Sequence, residues 1–303
     1  MEGSVMPKKT VTFKPKEILC PIDFSDLADL AIRYAAAGAR QFNANLTVFH
    51  AAHIEVPRYI TQGVADQITE EISAVQKDFQ AYMARHVQSV LGSATEKISL
   101  KYKFMQSHPV DAILETAEAD RNDLIVLGTR GFSGMKRLLM GSVAHGVLQS
   151  ANTPLFIVRQ REHDFIDITK QDSVPQIKNI LCPCNIDAPA ELGLRYAASL
   201  SEQFHADLTV LTISEEEKLD ASAVKEKLCN WIPDNVQANC AVNPVVRHGN
   251  AAEQIINYAR EEKSDLIVLS ARHHSFHGGT FFGRTTDLVV RYAPLPVLTV
   301  PVL

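Results

Sequence analysis

"RYAAAGARQFNANLTVFH", residues 33–50, returns 162 residues later as "RYAASLSEQFHADLTVLT", residues 195–212, with 10 of 18 positions identical. Working outward, "EILCPID" (17–23) matches "NILCPCN" (179–185) at the same offset. "DLIVL" at 123–127 recurs at 265–269, and "TPLFIV" (153–158) answers "LPVLTV" (295–300), both at an offset of 142. The chain is therefore an internal duplication, and the first copy carries about twenty extra residues between its second and third strands.

Each copy alternates. In the first, the short apolar runs ILCPI, LTVFHA, ISLKYKF, DLIVLG and PLFIV are separated by helical stretches. Leu27, Leu30, Ala31, Tyr34, Ala35 and Phe42 follow one buried helix face, with Ser25 placed to cap it. Residues 110–121 predict a second helix entered after Pro109, and 64–92 a longer amphipathic stretch. Strands alternating with helices predict an α/β fold with a mainly parallel sheet covered on both faces. Five strands per copy make two tandem doubly wound domains, 14–160 and 177–303, joined by a polar, irregular linker over 161–176.

Composition narrows the function. A length of 303 residues suits two such domains, and 46% hydrophobic with 21% charged residues is ordinary for a globular protein. The net charge of −5 supplies no basic face for nucleic acid. No apolar run approaches the roughly 18–20 residues of a membrane span, and the polar stretch MEGSVMPKKTVTFKPKEIL is no secretory signal. Five cysteines, with Cys20 and Cys182 inside apolar runs, predict buried reduced thiols in a cytoplasmic protein. Cys182 and Cys184 form a lone CPC without the partner pair that zinc needs.

The stretch "VLGTRGFSGMKRLLMGSVAHGV" (126–147) carries Gly128, Gly131, Gly134 and Gly141, with Ser142 directly after the last. It leaves the fourth strand at its carboxyl end, where open α/β sheets bind ligands, and a helix begins near Ser142. Glycines let a ligand approach the main chain, and unpaired amides at a helix start attract phosphate. The loop thus predicts an anion site, most simply for a nucleotide. A flexible surface loop with turn-forming glycines is the alternative. There is no GxxxxGK[ST], and the GxxGxxG spacing after the fourth strand is not the dinucleotide fingerprint of a first strand.

The spacing Gly128-x2-Gly131-x9-Gly141-Ser142 resembles the nucleotide-binding signature of the universal stress protein family. The opening PID followed by FSDLADLAIRYA, the strand ending VFHA, a Pro after the third strand and the closing TPLFIV are similar as well. The resemblance covers both copies and implies the Rossmann-like fold of the adenine nucleotide alpha hydrolase-like group. It implies ATP, or ADP or AMP, with or without Mg, and a stress-response role. It places Ile22, Asp23 and Ala51 at the nucleoside, and Gly128, Gly131, Gly141, Ser142 and Val143 at the phosphates. Arg130 joins the binding set; Lys136 and Arg137 could add charge but read as solvated. Asp23 has a second reading as a helix-start charge beside Ser25, Asp26 and Asp29. Ser107 stands where the family often has Gly. Last strands commonly pair in family dimers, so PLFIV and PVLTV are expected to pair within this chain as a pseudo-dimer, with a homodimer open as well.

The second copy departs at the diagnostic positions. Ser270 replaces Gly128, His273 replaces Gly131, Arg284 replaces Ser142 and Asn185 replaces Asp23, while Gly283 and Gly249 remain. Where a lost glycine held positive φ, replacement costs roughly 1–2 kcal/mol or forces another path. The second copy is expected to bind ATP weakly or not at all. His273, His274 and His277, with His248, raise a metal hypothesis, but HHSFHGG reads as a polar loop. His145 reads as an exposed side chain. Catalysis, as a slow ATP hydrolase or phosphotransferase, is the runner-up, held back because no base and charge clamp are evident; binding of another small ligand or metal through the second copy is the third reading.

Overall fold

The computed structural model describes residues 12–52, 62–129, 140–159, 165–167, 173–185, 191–214, 221–276 and 279–302. They fall into two compact units. One holds Pro15–Thr153 with Ile166–Pro175; the other holds Gln176–Leu303 with Pro154–Phe165 and the segment up to Lys14.

The first unit begins with strand β1 (Glu17–Pro21), helix α1 (Asp26–Phe42) and strand β2 (Asn45–Ala51). Ser25 caps α1 as the sequence predicts: its backbone is extended and its hydroxyl accepts from the Ala28 N–H at 3.3 Å. Asn43 ends the helix in the left-handed conformation, its N–H on the Ala39 and Arg40 carbonyls. The expected helix face is buried at Ala31, Tyr34, Ala35 and Phe42 and half-buried at Leu27 and Leu30. Helix α2 (Gln62–Leu91) and a short 3-10 turn (Gly92–Lys97) hold the extra residues of this copy. Strand β3 (Ser99–Met105), helix α3 (Pro109–Ala119), strand β4 (Leu124–Gly128) and helix α4 (Ser142–Ser150) complete it.

The four strands run parallel in the order β3-β2-β1-β4. Ile18, Leu19 and Cys20 of β1 are fully buried, as expected of a strand covered on both faces. The chain leaves β1 for β2 on one side, and β4 lies on the other, so the crossover sits between β1 and β4. Asp123, the first residue of DLIVL, fixes the start of β1 by accepting the Lys16 and Glu17 N–H groups at 2.9–3.1 Å. Asp265 does the same in the second copy for Lys178 and Asn179, at 2.7 and 2.9 Å.

The second unit takes in strand β5 (Leu155–Val158), β6 (Asn179–Pro183), helix α5 (Glu191–Phe204) and β7 (Asp207–Ser214). Helices α6 (Ala221–Trp231) and α7 (Asp234–Asn239), strand β8 (Val242–His248) and helix α8 (Ala251–Glu261) follow. Strands β9 (Leu266–Phe276) and β10 (Gly279–Phe282), helix α9 (Arg284–Tyr292) and strand β11 (Val297–Val302) close it. β8-β7-β6-β9-β11 are parallel neighbours. β5 joins antiparallel to β11, Val297 opposite Ile157, which is why Leu155–Val158 clusters with this unit.

Two features depart from the sequence reading. The described part of HHSFHGG, expected to be a polar loop, is strand instead: β9 runs on to Phe276 and β10 lies antiparallel beside it, Gly279 opposite Phe276 and Phe282 opposite His273. Backbone pairing satisfies groups that a loop would leave to water. The linker also has apolar anchors, since Phe165 and Ile166 are buried and Phe165 meets Phe156 edge-on at 6.0 Å.

Burial pushes the Cys20 thiol far above its ordinary range, and it does the same to Cys182, helped there by Cys184. Buried thiols in apolar surroundings are inert. Native protein treated with iodoacetamide should keep Cys20 and Cys182 unmodified while the half-buried Cys229 and Cys240 react; labelling of Cys20 at the rate of Cys229 would contradict this. Because the folded values lie above the unfolded value near 9, these thiols stabilise the fold fully below that pH. The contribution is lost as pH rises beyond it.

Candidate functional site

The site is built on three strand ends. β1 ends at Pro21, and the Ile22 N–H extends its ladder onto the Phe49 carbonyl at 2.8 Å. The chain then turns through Asp23, Phe24 and Ser25. Asp23 Oδ1 accepts the Ser25 N–H at 3.1 Å and the Ser25 hydroxyl at 2.6 Å. Asp23 therefore serves the helix start, its second sequence reading, and also faces the cavity described below.

β2 ends at His50 and Ala51. The His50 Nδ1 lies 2.7 Å from the Ile22 carbonyl; a carbonyl only accepts, so Nδ1 carries the proton. The second copy repeats the arrangement with other side chains. The Cys184 N–H donates to the Leu211 carbonyl at 2.9 Å, and the Thr212 hydroxyl donates to the Cys184 carbonyl at 3.0 Å.

β4 ends at Gly128. A Cβ there would lie 2.8 Å from the Leu27 carbonyl oxygen and 3.0 Å from its carbon. The reason for glycine is close approach of α1, since its φ is not positive. This corrects the premise that replacing it acts through left-handed backbone. Thr129 then accepts the Gly141 N–H at 2.7 Å, joining the two ends of the glycine loop. Arg130, Gly131, Gly134, Lys136 and Arg137 lie outside the described residues.

Gly141 is the N-cap of α4 and brings no side-chain cap; the first helical bond runs from the His145 N–H to the Gly141 carbonyl at 2.9 Å. The first turn of α4 holds no acidic residue. The amides of Ser142, Val143 and Ala144 precede that bond and carry the positive end of the helix.

These pieces enclose a cavity of about 330 Å³, at the small end of the roughly 300–1,000 Å³ typical of ligand sites. Of the predicted residues, Ile22, Asp23, Ala51, Gly128, Gly141, Ser142 and Val143 line it. The apolar wall comes from Phe49, Ile113, Leu127 and Ala28, and the polar edge from Asp23, His50, Thr129 and Ser142. Sequence reasoning missed His50, Phe49, Ile113 and Thr129, although His50 stood beside Ala51 in the VFHA motif. His145 is half-buried and is not among the lining residues. Ser107 avoids positive φ, whereas its counterpart Gly249 adopts +120°.

The second copy differs in chemistry. The Ser270 hydroxyl accepts the Gly193 N–H at 2.8 Å, a contact that Gly128, with no side chain, does not make. Asn185 is exposed. The first turn of α9 contains its own carboxylate, Asp287, which is held by Arg291 Nε at 2.8 and 2.9 Å. A carboxylate there offsets the helix dipole that would otherwise attract an anion. His273 and His274 lie on β9, and His277 lies outside the described residues.

A parallel α/β sheet with an uncapped helix start at its crossover defines a ligand-binding class of fold. The sequence pattern of the universal stress protein family matches residues 15–159 and 234–301, and the chain belongs to that family. The unmatched stretch between them contains the opening of the second copy, including Asn185. A universal stress protein of Mycobacterium tuberculosis is 24% identical over 299 residues, covering 93% of this chain and 95% of that protein. One from Methanocaldococcus jannaschii is 30% identical over 145 residues, covering 48% of this chain and 82% of its own length. A crystal structure of a universal stress protein from Archaeoglobus fulgidus shares the fold, with a TM-score of 0.67 at 19% identity over 93% of this chain and 97% of that one. No helix among the described residues is long and apolar enough to cross a membrane.

Proposed function

We propose that the first unit binds an adenine nucleotide, ATP or else ADP or AMP, and that the protein acts as a nucleotide-dependent stress-response module. The observation that carries this reading is the uncapped start of α4 opening into an apolar-walled cavity at the crossover. Ile22 and the Ala51 backbone would meet the nucleoside, and Asp23 Oδ2 would accept ribose hydroxyls. Gly128, Gly141, Ser142 and Val143, with Arg130 and Gly131, would hold the phosphates. The cysteines, held as thiols rather than disulfides, support a reducing compartment, the cytoplasm. The ladder between β5 and β11 supports pairing of the terminal strands within one chain.

Slow turnover fits this site better than rapid catalysis. Asp23 is the one carboxylate among the described lining residues, and its Oδ1 already holds Ser25. No magnesium site is assigned. Phosphate release at many turnovers per minute would move the reading to an ATP hydrolase.

The decisive variant is Ser142→Glu, which puts a carboxylate in the first turn of α4. It should raise fold stability by about 0.3–1 kcal/mol through the helix dipole. It should also weaken ATP binding by about 10–100-fold, the loss expected when charge-assisted bonds to phosphate are opposed. Unchanged ATP affinity in a folded Ser142→Glu protein would refute a phosphate site at α4.

A further inference from the structure

Phe24 lies in the middle of the cavity turn, between Asp23 and Ser25, with φ of 61°. A bulky side chain seldom occupies this left-handed region, and it stays there only where its surroundings over-determine it. Those surroundings are aromatic. The Phe24 ring lies 5.2 Å from His50, 5.8 Å from Phe79, 5.2 Å from Tyr82 and 5.1 Å from His86. Phe79 also stacks on His50 at 5.0 Å and contacts Phe104 at 4.7 Å.

Three of these rings, Phe79, Tyr82 and His86, come from α2. The His86 Nε2 pins that helix to Asp29 in the first turn of α1, at 2.6 Å. Met83 and Val87 on the same stretch of α2 are fully buried, so its placement is set by packing as well. On the other side, His50 bonds the Ile22 carbonyl and lines the cavity. Thr212 makes the corresponding bond in the second copy without any ring. Holding the exit of the first strand therefore does not require an aromatic residue. The rings connect that turn to α2, the element that carries the extra length of the first copy.

Resting on the nucleotide reading above, we propose that Phe24, His50, Phe79 and Tyr82 form a positioning cluster through which α2 sets the Ile22–Ser25 turn, so that cavity occupancy and the order of α2 are coupled. Coupling of this kind is reciprocal: whatever α2 contributes to ligand affinity, the ligand returns as stability of α2. Tyr82 is 47% exposed, so the far end of the cluster reaches the surface, where a change at α2 can be read from outside.

The test uses the full chain stripped of nucleotide, with ATP as the probe. Phe79 is not among the cavity-lining residues, so a merely local role would leave affinity unchanged. Phe79→Ala should weaken ATP binding by about 5–30-fold, within the usual range of coupling, while Phe79→Tyr, which keeps the ring, should bind nearly as the wild type. ATP should slow amide hydrogen exchange over residues 79–90 in the wild type and lose that effect in Phe79→Ala. Wild-type affinity in Phe79→Ala, or unchanged α2 exchange on ATP binding, overturns the proposal. Should Phe79→Ala fail to fold, Tyr82→Ala removes an exposed ring of the same cluster and is judged by the same criteria. If the wild type binds no ATP, the nucleotide reading falls instead. Positioning is then judged without ligand: Phe79→Ala must exchange faster than Phe79→Tyr over residues 22–28, and equal rates overturn it.

Discussion

Phe49→Ala should lower the unfolding free energy by about 3–5 kcal/mol, the usual loss when a large buried aromatic is truncated. Phe49 is fully buried on a strand flanked by β1 and β3, with Pro21 and Lys103 as its register partners. It is among the residues that line the cavity, so truncation also leaves a void beside the space in which a ligand must fit. The Ile22 N–H donates to its carbonyl, which ties the residue to the Asp23 turn. Urea denaturation followed by far-UV circular dichroism should show a clear fall in midpoint. Phe49→Leu, which keeps most of the volume, should lose much less. Equal midpoints for wild type and Phe49→Ala would contradict the packing described here.

Gly128→Ala should have the second largest effect, through overpacking. The added methyl carbon would lie 2.8 Å from the Leu27 carbonyl oxygen, and backbone on both sides leaves no flexible atom to move aside. Forced repacking of this kind costs about 1–3 kcal/mol. Relief requires a shift at the start of α1, which Ser25 caps and Asp23 braces. Ligand affinity should therefore fall together with stability. A variant with wild-type midpoint and wild-type ATP affinity would show that the close approach of β4 and α1 is not required. Ser270 stands at the corresponding position of the second copy and is accommodated by the glycine at 193, whose own Cβ would lie 2.6 Å from the Ser270 hydroxyl.

The architecture was legible because it is repetitive. Two copies of one helix-to-strand passage, DLIVL twice and apolar strand runs leave few alternatives to a parallel doubly wound sheet. Ser25 was readable as a cap because capping is local chemistry. The hairpin at β9–β10 was not: Arg272–Phe276 has no alternation of β-branched residues, and Gly278 and Gly279 signal a loop. Backbone pairing across a two-residue connection decides the matter instead. Leu155–Val158 reads as the last strand of the first copy, and its antiparallel partner is β11, the pairing that the family resemblance implies for it. Phe165 and Ile166 were hidden in a polar stretch whose average masks two buried side chains.

The candidate site was legible where a motif carries it. Gly128, Gly141, Ser142 and Asp23 fall in the motifs that carry the resemblance to the family, whereas Ile113 and Leu127 reach the cavity through tertiary packing. The left-handed backbone of Phe24 has no signature in one sequence, since a phenylalanine between Asp23 and Ser25 reads as an ordinary helix-entry residue. The cause of the Gly128 requirement is also tertiary: α1 passes close by, and only the packed structure displays that distance. Conversely, the substitutions in the second copy are readable in the sequence, while the contacts they make, a Ser270 hydroxyl on the Gly193 amide and Asp287 held by Arg291 at the start of α9, are not.

The measurement that tests the central claim most directly is the stoichiometry of ATP binding, taken by isothermal titration calorimetry on nucleotide-free full-length protein. The cavity of the first unit and the substituted positions of the second copy predict one site per chain. Two equivalent sites would contradict the account of Ser270, Asn185 and Asp287, and no binding by folded protein would contradict the assignment of the cavity to a nucleotide.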